Sequence, residues 1–182
     1  MTFLFTQENL KLAQIALEKY PAERKRSAVM ELLWIAQRQN QNWIPKEAIT
    51  YIANFLDMPE VRVYEVVTFY SMYNLKPVGK YFIQACGTTP CVLMGAEEVM
   101  QAIKDELSIE DKGTTKDSLF SLLEVECLGA CSNGPMVQIN NDYYEDLTPQ
   151  TIREIIQALK AGKPVKIGSQ KGRKSAETSD LL

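Results

Sequence analysis

In the first 76 positions apolar residues recur three and four apart, the interval at which side chains share one face of an α-helix. The first such stripe, Leu10, Ala13, Leu17 and Tyr20, predicts a helix over Gln7 to Tyr20, with Thr6 as its N-cap and Pro21 as its end. A second helix, from about Glu23 to Gln41, turns Val29, Leu32, Leu33 and Ala36 inward behind a solvated start of Arg24, Lys25 and Arg26. Trp43-Ile44-Pro45 opens a third, whose stripe is Ala48, Ile49, Ile52 and Leu56. In the fourth, Asp57 and Glu60 stand at the spacing of a capping box, and Val63, Val66, Val67 and Tyr70 supply the buried face. Four short helices joined by tight turns predict a helical bundle over residues 1–76.

Pro77-Val78-Gly79 ends that pattern, and strands enter. Tyr81-Phe82-Ile83 is a short β-prone run, followed by a helix from about Val92 to Leu107 that carries Ala96, Val99, Met100, Ile103 and Leu107 on one side. A polar surface loop, 108–117, leads to a strand over Leu119 to Glu126. Met136 to Ile139 and Tyr143 to Leu147 read as a hairpin about Asn140-Asn141-Asp142. Thr148-Pro149 then caps a last helix, striped by Ile152, Ile155, Ile156 and Leu159 and closed by Gly162. The fold class is α+β: a helical bundle, then a mixed domain over 77–162. Residues 163–182, with Lys166, Lys171, Arg173 and Lys174 and then Ser, Thr, Glu and Asp, read as a flexible C-terminal tail. Its basic run is either simply solvated or draped over an acidic partner.

Composition narrows the function. A net charge of -3 argues against nonspecific nucleic-acid binding, which needs a basic face to displace counterions. Pro45–Leu56 and Pro59–Met72 have the outline of a helix-turn-helix, but the second offers one cation, Arg62, beside Glu60 and Glu65. A helix that reads base edges needs the opposite. No apolar run approaches the roughly 18 residues of a membrane span, so membrane association would go through a partner protein. The first residues lack the basic and long apolar regions of a secretory signal, which makes the reducing cytosol the expected compartment.

All four cysteines lie between Cys86 and Cys131, as Cys86-Gly-Thr-Thr-Pro-Cys91 and Cys127-Leu-Gly-Ala-Cys131. Each loop follows a strand, so neighbouring strands would bring both to one end of a sheet. The chain has no histidine, which excludes Rieske-type and mixed Cys/His sites and leaves a cage of thiolates. By spacing alone that cage suits zinc or an iron-sulfur cluster. Thioredoxin-type exchange wants C-x-x-C, which is absent. The helix expected behind Cys91 would turn free N–H groups towards the site.

These two loops, with Glu126-Cys127-Leu128-Gly129-Ala130-Cys131, Pro135-Met136-Val137-Gln138-Ile139-Asn140 and the upstream Val63-Tyr64-Glu65-Val66-Val67-Thr68-Phe69-Tyr70-Ser71-Met72, resemble the thioredoxin-like [2Fe-2S] subunits of respiratory NADH:quinone oxidoreductase, complex I. Arg26-Ser27-Ala28 and Ala36-Gln37 add to the likeness, which runs from about residue 20 to residue 165. The resemblance implies a thioredoxin-like [2Fe-2S] ferredoxin domain behind the helical bundle, and one [2Fe-2S] cluster on Cys86, Cys91, Cys127 and Cys131. It implies as partners a flavoprotein subunit that binds NADH and FMN and the larger iron-sulfur subunit, with the complex at the cytoplasmic face of a bacterial inner membrane. The chain agrees in having no G-x-G-x-x-G and no Walker loop, so hydride chemistry belongs elsewhere. Two positions depart from the family pattern: Met94, where relatives often carry Arg, and Gly134, where they usually have Ala. Subunits of NAD-linked hydrogenases and formate dehydrogenases share the motifs. The other readings are a zinc-stapled interaction module and an iron-sulfur transcriptional sensor.

Overall fold

The structure, a computed structural model, describes residues 2–174. They fall into two units that divide between Val78 and Gly79.

In the first unit the helices are α1 (Gln7–Glu18), α2 (Val29–Gln39), α3 (Lys46–Phe55) and α4 (Glu60–Phe69). Thr6 caps α1 as expected, its Oγ1 accepting from Asn9 N at 3.2 Å. The helix expected from Glu23 is two pieces: Ala22–Ala28 winds as a 3-10 turn before α2 begins. That run is Arg- and Lys-rich and buries Ala28 alone, so no apolar stripe holds it in α-helical register. The capping box at Asp57 is also absent. Asp57 lies at φ 49 in the turn after α3, and Pro59 is the N-cap of α4, leaving Glu60 in the first turn, where its charge suits the helix dipole. Leu32, Leu33, Ile52 and Val63 are fully buried between the helices. Gln37 is buried with them: its amide donates to Met72 O at 3.1 Å and accepts from Asn74 N at 2.7 Å, tying the segment after α4 to α2.

The second unit is a five-stranded sheet in the order β2-β1-β3-β4-β5, formed by β1 (Tyr81–Cys86), β2 (Phe120–Val125), β3 (Val137–Ile139), β4 (Asp142–Glu145) and β5 (Gly168–Ser169). β1 runs parallel to β2, β3 antiparallel to both β1 and β4, and β5 parallel to β4. Helices α6 (Ala96–Leu107) and α7 (Pro149–Lys160) share one core with the sheet, where Ile103, Ile152 and Ile156 meet Ile83, Phe120 and Val137. Three expectations change. The helix expected from Val92 is broken: α5 (Thr89–Leu93) ends before Gly95, whose φ of 98 interrupts the backbone, so Cys91 lies inside a short helix instead of ahead of a long one. β1 runs three residues past Ile83 to Cys86 because pairing with β2 carries it there. Part of the expected flexible tail is ordered, since Gly168 and Ser169 pair with Tyr144 and Glu145 and Arg173 meets the carboxylate of Asp146. The rest of that tail, 175–182, lies outside the described residues.

Candidate metal centre

Parallel pairing in register sets Cys86, the last residue of β1, opposite Val125, the last of β2. Both cysteine loops therefore leave the sheet at the same end, where Cys127 follows two residues after Val125. The antiparallel β3 starts there too, with Val137 opposite Ala85, so the run from Cys131 to Met136 re-enters the sheet beside the first loop. Cys86 N donates to Met136 O at 3.4 Å and Gly87 N to Val125 O at 3.0 Å.

The loops interlock through sulfur. Backbone hydrogen bonding from Leu128, in the second loop, favours the charged form of the Cys86 thiol, and that from Met136 favours the charged form of Cys91. Within the loops, Cys86 Sγ lies 3.3 Å from Thr88 Oγ1, and Gly129 N donates to Cys127 Sγ at 3.4 Å. Gly129 adopts φ 84, which is what aims its N–H back at the sulfur of Cys127. The thiols stand two by two. Cys127 and Cys131 are 3.5 Å apart, and Cys86 and Cys91 share a hydrogen bond. Cys86 and Cys91 are buried, while Cys127 and Cys131 are exposed.

Charge at these sulfurs follows their surroundings. Burial pushes the Cys86 thiol up, but hydrogen bonds from Thr88, Leu128 and Cys91 outweigh it and hold the group below its ordinary value. Cys91 goes the other way, pushed up to about 12 by burial first and then by Cys86 beside it. Cys131 is raised by its hydrogen bond to Cys127, then by desolvation and by the charges of Cys127 and Cys86. Cys86 thus opposes ionisation of Cys91, and Cys127 and Cys86 oppose that of Cys131, whereas Cys91, as a hydrogen-bond donor, favours the charged form of Cys86.

The four residues singled out in the sequence are thus brought to one place, and the donor set fits an iron-sulfur group: thiols only, with backbone hydrogen bonds to the sulfurs. Among the described residues no three metal-ligating side chains converge as a single-ion site. Of the two departures, Met94 is exposed at the end of α5, and Gly134 packs on Cys91, a Cβ at its position falling 3.4 Å from Cys91 Sγ. Sequence reasoning missed the hydrogen-bond donors Leu128 and Met136, which act through their backbone and so leave no side-chain signal. It also missed the buried Asp146, 1% exposed, whose place near the end of the expected hairpin strand Tyr143 to Leu147 looked ordinary.

A sequence model described as thioredoxin-like [2Fe-2S] ferredoxin matches residues 13–160. An NADH-quinone oxidoreductase subunit from Rickettsia bellii is 57% identical over 158 residues, which cover 87% of this chain and 95% of that protein. NADH dehydrogenase [ubiquinone] flavoprotein 2, mitochondrial, of Dictyostelium discoideum is 46% identical over 175 residues, covering 96% of this chain and 71% of that one. Among solved structures, an NAD+-reducing [NiFe]-hydrogenase in the air-oxidized state shares the fold with a TM-score of 0.63 at 18% identity, over 72% of this chain and 23% of the hydrogenase chain. Among the described residues no helix is long and apolar enough to cross a membrane. By the extent of the family match and the identity to full-length relatives, the chain belongs to the thioredoxin-like [2Fe-2S] ferredoxin family.

Proposed function

We propose that Cys86, Cys91, Cys127 and Cys131 hold one [2Fe-2S] cluster and that the chain is the electron-transfer subunit of NADH:quinone oxidoreductase, complex I. The observation that carries the reading is the two-by-two grouping of thiols where two interlocked loops leave one end of the sheet. A binuclear cluster takes two thiolates on each iron, whereas zinc draws all four to one point. When bound, the cluster supplies one-electron acceptance and donation.

The chain's own residues govern how that happens. Backbone N–H groups of Leu128, Met136 and Gly129 face sulfur, where they stabilise negative charge and so favour the reduced state. The inner pair, Cys86 and Cys91, is shielded from water, and the outer pair, Cys127 and Cys131, faces out, giving a partner a short approach. That partner is the flavoprotein subunit carrying NADH and FMN, with the larger iron-sulfur subunit alongside. Hydride chemistry stays on the flavoprotein, since this chain has no dinucleotide or phosphate loop and no histidine base. The complex holds the chain at the cytoplasmic face of the inner membrane. The hydrogenase likeness, at 18% identity, is one of fold.

Substitution of an outer ligand tests the assignment. Full-length chain reduced with dithionite is expected to give the electron paramagnetic resonance signal of a [2Fe-2S] cluster. Cys127→Ser is expected to shift or lose it, because a serine oxygen is a harder ligand than thiolate. A signal identical in the two proteins would remove Cys127 from the site.

A further inference from the structure

The loop that carries Cys131 is weakly held from within. Asn133 N donates to Ala130 O at 3.1 Å, and the contact from Gly134 N to Cys131 O, at 3.5 Å, is long for a hydrogen bond. Most of its restraint comes from outside. Asn133 O accepts from Asp146 N at 2.7 Å, Pro135 O accepts from Leu147 N at 3.0 Å, and Ser132 O accepts from Arg173 Nη2 at 3.0 Å. The first two donors follow β4, and the third comes from the segment beyond β5.

Arg173 does more than touch the loop. Its Nε donates to Asp146 Oδ1 at 3.0 Å, and its Nη2 reaches the same oxygen. The other carboxylate oxygen accepts from Ser169 Oγ at 2.5 Å, and Ser169 Oγ accepts in turn from Arg173 N at 2.9 Å. The Asp146 side chain is 1% exposed, so its charge is tolerable only with a paired cation and filled lone pairs, and Arg173 is the cation in contact. A planar fork is needed to serve the carboxylate and the Ser132 carbonyl together. The segment therefore closes over the ligand loop as a strap, pinned at one end by β5 and at the other by Arg173.

We infer that Arg173, locked by Asp146 and Ser169, is a positioning residue that keeps the Cys131 loop closed on the cluster. The inference rests on the ligand assignment proposed above. A cluster escapes when its loop opens, and the rate of escape follows the open population. Losing charged hydrogen bonds of this kind raises that population by roughly tenfold.

The test uses the full chain loaded with its cluster, challenged with a ferrous chelator while the visible absorbance bleaches. Arg173→Met is expected to release the cluster about tenfold faster than the unaltered chain. Asp146→Asn is expected to do the same; Asn suits the left-handed backbone there, at φ 55, so the turn survives. Arg173→Lys keeps the cation but cannot serve both acceptors, so it should melt like the unaltered protein without cluster yet still bleach severalfold faster. That split separates positioning from general stability, and it keeps the test alive if Arg173→Met fails to fold. An unaltered chain that purifies without iron and sulfide sinks the ligand assignment and this inference with it. An unaltered chain that is loaded, with variants that bleach no faster, sinks this inference alone.

Discussion

Two glycines answer a methyl group in opposite ways. At Gly134, with φ -66, a new Cβ would lie 3.4 Å from Cys91 Sγ and 3.5 Å from Cys91 Cα, ordinary van der Waals contact. Gly134→Ala should therefore raise the unfolding free energy of the sheet unit by about 0.4–1 kcal/mol, through lost freedom in the unfolded chain, and leave the cluster bound. At Gly79 the same atom would sit 2.5 Å from the Phe120 carbonyl carbon and 2.7 Å from Ser121 N. Backbone cannot yield as a side-chain end can, so Gly79→Ala should cost roughly 1–3 kcal/mol. Urea unfolding of both variants checks the opposite signs. Gly134 was visible in the sequence as a departure from the family pattern, but its contact with Cys91 was not, because the two residues lie in different loops. The four cysteines of the candidate site were legible residue by residue, since cysteine is scarce in this chain and each pair is local. Their donors Leu128 and Met136 were not, because any residue has the N–H that faces sulfur.

Helix ends were legible where they are local. Thr148 caps α7 with its Oγ1 accepting from Thr151 N at 3.1 Å, while Thr151 Oγ1 accepts from Thr148 N at 2.8 Å. Thr148→Ala should lower the stability of the sheet unit by about 1 kcal/mol, read from the shift of its urea midpoint at unchanged slope. The apolar stripe of α7 and its N-terminal Thr148-Pro149 lie within a few residues of each other, which is why the sequence located this helix closely. Elements defined by distant partners were harder to see. β5 is two residues long and exists through pairing with β4 and through Asp146, 27 residues from Arg173, so nothing in its own composition marks a strand. The break at Gly95 hid for a different reason: apolar spacing continues across it, and a glycine inside such a stripe reads as tolerated.

At the scale of the molecule, function depends on which strands are neighbours. β1 and β2 are parallel and adjacent although α5 and α6 lie between them in the chain, and this alone brings the two cysteine loops together. The sequence supported that meeting because each loop follows a strand. The inequality of the two pairs, one buried and one facing out, follows from how the loops fold over each other and was not legible. The most direct test is to purify the full chain anaerobically and count metal and acid-labile sulfide. Iron and sulfide in equal amounts, two of each per chain, is the result expected of a [2Fe-2S] cluster on these thiols. One zinc per chain with no sulfide would contradict it.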